Sequence, residues 1–239
     1  MQSTYTDTIR ITDNECDANG FMLPGSILRR VQQIGTDQCS ACGITAQVYK
    51  DTQTAFLLAK LGMEILHPIA LGTVVQLRTT PYAPVRAVYS RVTQLYTQDG
   101  TLLATVDARW ILVNRETHRI LRQTPPEICL PYLQEEPVQL PVRIVKAAET
   151  QQIGTQCATY TRCDTNHHLN NTHYADIACD CLPIAALLAN PVRRMTLAYH
   201  NEIPMDTPFT LHRGITENGA YYVLGMREET KYFEVNVEL

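Results

Sequence analysis

Twelve consecutive residues, CDTNHHLNNTHY at positions 163 to 174, hold many side chains that accept, donate or orient a proton. The stretch contains one carboxylate, three amides and three imidazoles. Imidazoles titrate near neutral pH and act as general bases, whereas carboxamides hold a carbonyl group or a water molecule. These residue types predict a site of proton transfer or hydrolysis.

The elements around this stretch predict a strand, a turn and a helix. A strand is expected over TQCATYTR, and an apolar helical face is expected within NTHYADIACDCL. Asn170 and Asn171 are N-cap candidates for this helix, and Pro183 is expected to end or kink it. Four further runs are rich in strand-forming residues: RRMTLAYHNEI, PFTLHRGIT, AYYVLGMRE and KYFEVNVEL.

The first half of the chain has the same plan. TYTDTIRIT predicts a strand, DNECDANG a turn, and LPGSILRRVQQIGTDQCSACG a helix with Gly43 as its C-cap. Strands are then expected within four runs: TAFLLAKLGMEILH, GTVVQLRTTPY, RAVYSRVTQLYT and LLATVDARWILVN.

The two predicted turns also match residue by residue. CDANGFM at 16 to 22 aligns with CDTNHHL at 163 to 169, which sets Asp17 over Asp164 and Phe21 over His168. Because the match falls at the same strand, turn and helix position in both halves, it favours a tandem repeat.

A tandem repeat of this kind predicts an α+β fold. Each half is expected to wrap an antiparallel sheet around a helix, and the two sheets can join edge to edge, which removes exposed edge strands. We expect an N-terminal domain at 1 to 114, a proline-rich linker at 115 to 140, and a C-terminal domain at 141 to 239 that carries the candidate site.

Composition excludes several functions. A net charge of −4 without blocks of like charge gives no footprint for nucleic acid or an anionic membrane. No run of about 18 apolar residues and no export signal is found, so a cytoplasmic protein is expected. The CxxC at Cys39 and Cys42 lacks a partner pair, and His168 and His173 are five positions apart, which disfavours a metal site.

Three segments resemble a known family. DTNHHLNNTHY resembles the DxNxHxNNxxY signature of the acyl-acyl carrier protein thioesterases of plants and bacteria, which are double hotdog proteins. ARWILVNRETHRI is similar to a segment ending their first half, and TLAYHNEI to a later L-x-Y-x-x-E strand. The resemblance implies a tandem (double) hotdog that hydrolyses fatty acyl-acyl carrier protein. Its partners would be that carrier and the fatty acyl chain, without a cofactor or metal.

The resemblance also implies the active-site residues. The family positions fall on Asp164, Asn166, His168 and Glu202, and Ile203 stands where many plant members carry a cysteine once thought to be the nucleophile. An alkyl group cannot attack a carbonyl, so direct attack by water is expected. Glu202 would be the base, with its pKa raised by burial in an apolar strand. His168 would orient the water.

The residue types suggest roles for the other polar groups of the turn. Asn166 would hold water or the carbonyl group, and Asp164 would fix the turn or the neighbouring amide. Backbone N–H groups near Asn170 and Asn171 would form the oxyanion site. The acyl tail would lie between helix and sheet, in the N-terminal half as the resemblance implies.

Several alternatives stay open at this stage. Asp164 also suits a simple turn former, and a lone Glu202 suits an exposed strand position, while His167 and His173 suit surface or packing roles. The chain would also fit an acyl-coenzyme A thioesterase, a non-catalytic acyl-binding module or, more weakly, a hydratase. Kinetics on matched acyl chains would separate the two carriers. The chain length of the substrate and the choice between monomer and homodimer are not predicted.

Overall fold

Ten strands form one antiparallel sheet in the computed structural model, which describes residues 2–239. The first half contains β1 (Tyr5–Arg10), α1 (Pro24–Ala41), α2 (Ala46–Asp51), β2 (Thr54–Ile65), β3 (Val74–Pro81), β4 (Val88–Thr97) and β5 (Leu102–Asn114). The second half contains β6 (Gln151–Cys157), α3 (His173–Asp180), α4 (Ile184–Ala189), β7 (Arg194–Tyr199), β8 (Pro208–Ile215), β9 (Tyr221–Arg227) and β10 (Thr230–Glu238).

The strand order shows that the two halves are related by an approximate twofold repeat. The order is β1-β3-β4-β5-β2-β7-β10-β9-β8-β6, so the second half follows the first in reverse. The halves join where β2 pairs with β7, from Lys60 opposite Ala198 to Glu64 opposite Arg194. The predicted α+β fold with two joined sheets is therefore confirmed, and after the join the edge strands of the described sheet are β1 and β6.

Helix α1 lies on one face of the first-half sheet. It begins at a proline, which suits the first turn because its missing N–H has no partner there. Ile27, Val31 and Ile34 are buried at helical spacing, and Gly43 takes a left-handed conformation just beyond the helix. The predicted helix and its glycine C-cap are confirmed. Within residues 2–239 no helix is long and apolar enough to cross a membrane.

The corresponding helix of the second half is broken. Helix α3 has only eight residues, and α4 follows with Pro183 at its N-cap position, which confirms that this proline ends the helix. The helix starts at His173 and not at Asn171, because the side chain of Asn170 ties the preceding residues into a turn. Strand β6 also ends at Cys157, before the predicted end of the run TQCATYTR.

Residues 115 to 150 connect the halves without a helix or strand. The connection crosses the face of the sheet opposite α1, where the N–H of Leu140 donates to Oδ2 of Asp107 over 3.1 Å. Further along, the N–H of Val145 donates to Oδ1 of Asn236 over 2.8 Å. The exact division into two hotdog domains and a linker remains a prediction.

Candidate active site

Asp164 closes the turn that carries most of the candidate residues. Its Oδ1 accepts the N–H of Asn166 over 2.8 Å, and its own N–H donates to the carbonyl of His168 over 2.9 Å. Between them, His167 has φ of 63°, a left-handed conformation in which its side chain is exposed. The expectation that Asp164 fixes the turn agrees with these contacts.

Two backbone hydrogen bonds dock this turn on the loop that follows β7. The N–H of Leu169 donates to the carbonyl of Ile203 over 2.8 Å, and the N–H of Met205 donates to the carbonyl of His167 over 2.8 Å. His168 lies between the two bonds, and Glu202 directly precedes Ile203. The docking therefore brings these two side chains together although 33 positions separate them in the sequence.

The His168 and Glu202 side chains face each other. Nδ1 of His168 lies 3.4 Å from Oε2 of Glu202, with the side chains 30% and 48% exposed. Nδ1 itself is buried and has no hydrogen bond of good geometry within residues 2–239. The amide of Asn166 lies on the same turn, with Nδ2 3.4 Å from Oδ2 of Asp164.

The prediction that Glu202 lies buried in a strand is wrong. Strand β7 ends at Tyr199, so Glu202 lies in the following loop and is exposed. The burial that was expected for this carboxylate is therefore not found.

The loop leaves the sheet because its side chains bind β10. Nε2 of His200 lies 2.8 Å from Oε2 of the buried Glu234, and Nδ2 of Asn201 donates to the carbonyl of Lys231 over 2.7 Å. Burial opposes ionisation of Glu234, but hydrogen bonds from Tyr222 and His200 outweigh it and lower the pKa of this carboxyl. The two residues before Glu202 are thus anchored.

Two tyrosines hold the turn and the loop together, and the sequence reasoning assigned neither a role. The hydroxyl of Tyr199 donates to the carbonyl of Asn171 over 3.1 Å. The ring of Tyr199 packs edge-on against Tyr174 with centroids 5.2 Å apart, and Tyr174 packs on Phe233 at 4.7 Å. Both tyrosines stand in the segments that carry the family resemblance, which is the signal that could have identified them.

The backbone donors at the helix start differ from the prediction. The N–H of Asn170 is already bound to the carbonyl of Arg162 at 2.9 Å, so it is not available to an oxyanion. The N–H of Asn171 has no partner in the part of the chain that the structure describes, which leaves it as the candidate donor. Thr172 is the N-cap residue of α3 and makes no side-chain cap hydrogen bond, so the prediction of Asn170 or Asn171 as the N-cap is wrong. Oδ1 of Asn170 instead accepts the N–H of Thr172 over 3.0 Å, within the turn before the helix.

The other polar side chains nearby have structural partners. Nδ1 of His173 faces Asp176 at 3.8 Å, and Asp176 forms an ion pair with Arg29 at 2.7 Å. Burial, together with the charge of Asp164, raises the pKa of the Cys163 thiol. Among residues 2–239 no cluster of three or more His, Cys, Asp or Glu side chains is placed to hold a metal ion.

The turn of the first half has the same backbone conformation as the turn that carries Asp164. Oδ1 of Asp17 accepts the N–H of Asn19 over 2.8 Å and that of Phe21 over 3.0 Å, while Gly20 has the left-handed φ of 77°. The N–H of Met22 donates over 2.8 Å to the carbonyl of Ile69, just as Leu169 donates to Ile203. The docking is therefore duplicated.

The first half has no counterpart of the His168 imidazole or the Glu202 carboxylate at the equivalent positions. Phe21 replaces His168, and the docking register places Pro68 at the position of Glu202. Both line an apolar cavity of about 70 Å³. Nδ2 of Asn19 donates to the carbonyl of Leu187 over 3.3 Å, so this amide has a structural partner.

A polar groove of about 320 Å³ runs beside the second-half turn. One wall is the outer side of α1, and the other is formed by the turn and the start of α3. It is lined by Arg29, Gln32, Gln33, Thr36, Thr161, Arg162, Cys163, Asn170, Thr172 and His173.

Comparison with known families agrees with this arrangement over most of the chain. Residues 2–132 match the acyl-ACP thioesterase N-terminal domain, and residues 145–236 match the acyl-ACP thioesterase C-terminal domain. The chain belongs to the acyl-ACP thioesterase family. None of the curated proteins matches it in sequence.

Two solved structures of similar fold align with nearly the full length of this chain. An acyl-ACP thioesterase from Bacteroides thetaiotaomicron has a TM-score of 0.88 at 18% identity, covering 98% of this chain and 97% of that one. The 12:0-ACP thioesterase from Umbellularia californica has a TM-score of 0.82 at 14% identity, covering 100% and 97%. The likeness confirms the double hotdog fold.

The contact between Tyr199 and Asn171 predicts an effect on turnover. Tyr199→Phe keeps the ring packing but leaves the carbonyl of Asn171 without its donor, which costs about 1–3 kcal/mol and loosens the turn. We expect kcat of this thioesterase to fall about tenfold while KM changes little. Tyr96→Phe is the matched control, because its hydroxyl donates to Gln94 on β4. Lower thermal stability with unchanged kcat would mean that the contact serves folding only.

Proposed function

We propose that this enzyme hydrolyses fatty acyl-acyl carrier protein by direct attack of water on the thioester. Glu202 acts as the general base and His168 orients the attacking water. The observation that carries the proposal is the 3.4 Å approach of Nδ1 of His168 to Oε2 of Glu202. At the equivalent positions of the first half stand Phe21, in the turn, and Pro68, in the loop on which that turn docks.

The reaction then has two steps. The water oxygen forms a bond to the thioester carbon while its proton passes to the Glu202 carboxylate, and the carbonyl oxygen becomes an oxyanion. The C–S bond then breaks, and the carrier thiolate takes the proton back from Glu202. Free fatty acid and the carrier thiol are the products.

Preorganised donors lower the barrier by holding the developing charge. The N–H of Asn171 and the amide of Asn166 are the groups that we assign to the oxyanion and the water. Asp164 acts through the turn, because its Oδ1 already accepts the backbone N–H groups of Asn166 and His168. It is therefore a positioning residue in this proposal.

A cysteine nucleophile is disfavoured by the chemistry at two positions. Ile203, directly after Glu202, is fully buried and has no nucleophilic atom. Cys163 is the thiol nearest to the signature, but Sγ donates to the carbonyl of Ala158 over 3.7 Å and its pKa is raised. A thiol that resists ionisation is a weak nucleophile.

The carrier arm requires a polar approach to the thioester. The groove of about 320 Å³ between α1 and the second-half turn provides amide and hydroxyl groups, which suit the amides of a phosphopantetheine arm. We assign the arm to this groove, so that its thioester end reaches His168 and Glu202.

The catalytic pair is tested by substitution. Glu202→Ala and His168→Ala are each expected to lower kcat/KM for an acyl-carrier thioester by at least about a hundredfold, the lower range for loss of a general base or its orienting partner. The control is Asp17→Ala, the equivalent of Asp164 in the first half. It is expected to act on folding or acyl preference and to preserve the chemical step.

The assignment of a single active half would be contradicted by one result. If Asp17→Ala were as inactive as His168→Ala while its circular dichroism matched the parent, both turns would contribute to catalysis.

The absence of a covalent intermediate is tested separately. Cys163→Ala is expected to retain most of the turnover, because the thiol only donates to a backbone carbonyl. Intact-protein mass spectrometry of the parent enzyme during turnover should show no acyl adduct. An acyl group trapped on any cysteine would exclude direct attack by water.

A further inference from the structure

A buried carboxylate on the outer face of the sheet takes no part in the proposed reaction. Glu234 lies on β10, where its neighbour Phe233 points into the core beneath α3 and Glu234 itself therefore points to the opposite face. The carboxylate is 6% exposed and is contacted by the Tyr222 hydroxyl, by Nε2 of His200 at 2.8 Å and by Nζ of Lys231 at 3.7 Å. Replacing a buried charged group by an apolar one is often neutral or stabilising, so stability alone does not explain this carboxylate.

The imidazole that binds Glu234 stands two positions before the proposed general base. His200 is the first residue after β7, and its N–H donates to the carbonyl of Tyr232 over 2.9 Å. Together with the side-chain contact to Glu234, this bond holds His200 at two points. Only Asn201 separates His200 from Glu202, and two residues span at most about 7 Å. A displacement of His200 is therefore passed on to Glu202.

The first half makes the equivalent backbone bond without the side-chain contact. The N–H of Leu66 donates to the carbonyl of Leu103 over 2.8 Å, as the N–H of His200 donates to β10. This register places Leu66 at the position of His200. Thr105 on β5 then stands at the position of Glu234. Because the alkyl side chain of Leu66 forms no hydrogen bond, the half without the acid–base pair also lacks this contact.

Contacts that hold the connection between the halves are, in contrast, present twice. On β5, Asp107 accepts the N–H of Leu140 over 3.1 Å. At the equivalent position of β10, two residues beyond Glu234, Asn236 accepts the N–H of Val145 over 2.8 Å. The outer face thus carries one kind of contact that both halves share and another kind that accompanies the acid–base pair.

We propose that His200 and Glu234 are positioning residues for the hydrolysis, because their contact holds the Glu202 carboxylate within reach of His168. The proposal rests on the proposed function and adds to it a pair on the outer face of the sheet. Breaking the contact would leave a buried carboxylate without one of its donors, which is costly, so the loop is restricted to one arrangement. A misplacement of about 1 Å in a reacting group can cost about a hundredfold in rate.

The first half supplies the substitutions that test this role. His200→Leu and Glu234→Thr introduce the residues found at the equivalent positions, and the double variant removes both partners of the contact, so no buried charge loses its donor. We expect kcat for an acyl-carrier thioester to fall at least about tenfold in each variant while KM stays within about twofold, because binding groups are untouched. His200→Gln retains an N–H donor for Glu234 and should restore most of kcat.

The matched control is Asn236→Ala. It breaks a contact on the same face of the same strand, but one that holds the connection and not the loop. We expect it to lower thermal stability and to leave kcat unchanged. Variants are compared once their circular dichroism matches the parent. Should Glu234→Thr fail to fold, His200→Leu and His200→Gln carry the test, because the His200 side chain is partly exposed.

A double-mutant cycle shows whether His200 acts through Glu202. In the Glu202→Ala background, His200→Leu should lower the residual kcat by less than about twofold, because the group that it positions is gone. An equal loss of about tenfold in both backgrounds would overturn the proposal. A parent-like kcat in the His200→Leu, Glu234→Thr double variant would overturn it as well.

Hydrogen exchange followed by mass spectrometry measures the loop without catalysis. In the parent, the N–H groups of His200 and Met205 are bonded to Tyr232 and His167. We expect the peptide that carries both to exchange at least about threefold faster in the double variant, because local opening becomes easier, and at the parent rate in Asn236→Ala. Full activity of Glu202→Ala would end the proposed base but leave this readout intact. Parent-like exchange in the double variant would show that the contact does not position the loop.

Discussion

The candidate active site depends on the docking of one tight turn on one loop through two main-chain hydrogen bonds. Leu169 donates to Ile203 and Met205 donates to His167, each over 2.8 Å. Because only backbone groups take part, the arrangement does not depend on which side chains stand at the facing positions. In the proposed mechanism the fold supplies the proximity, and the side chains of His168 and Glu202 supply the chemistry.

The duplicated half illustrates this separation. The first-half turn keeps the aspartate, the left-handed position and the docking bond to Ile69. Phe21, however, stands at the position of His168, and Pro68 in the docked loop stands at the position of Glu202. A ring and a pyrrolidine transfer no protons but cover apolar surface. The helices differ accordingly: α1 is continuous and spans its sheet, whereas Pro183 divides its counterpart. Along the continuous helix, Gly35 lies against the side chain of Arg91 on β4.

Much of this arrangement was predictable from local sequence patterns. Alternating runs located the strands, and the repeat of Asp17 and Asp164 located both turns. The end of β7 was not predictable, because His200 and Asn201 bind groups on β10 that lie about thirty positions away in the sequence. The role of Tyr199 was missed for the same reason, since it is defined by contacts with Asn171 and Tyr174 on other elements.

The central claim is that water, and no protein group, attacks the thioester carbon. A Glu202 carboxylate that attacked the thioester carbon would displace the carrier thiolate and form a mixed anhydride, and water attack on the Glu202 carbonyl of that anhydride would leave solvent oxygen in the carboxylate. A single turnover with enzyme in excess in ¹⁸O-labelled water, followed by mass spectrometry of the fatty acid and of the peptide containing Glu202, tests for this path. The account predicts one labelled oxygen in the fatty acid and none in the peptide. Labelled oxygen in the Glu202 carboxylate would contradict it.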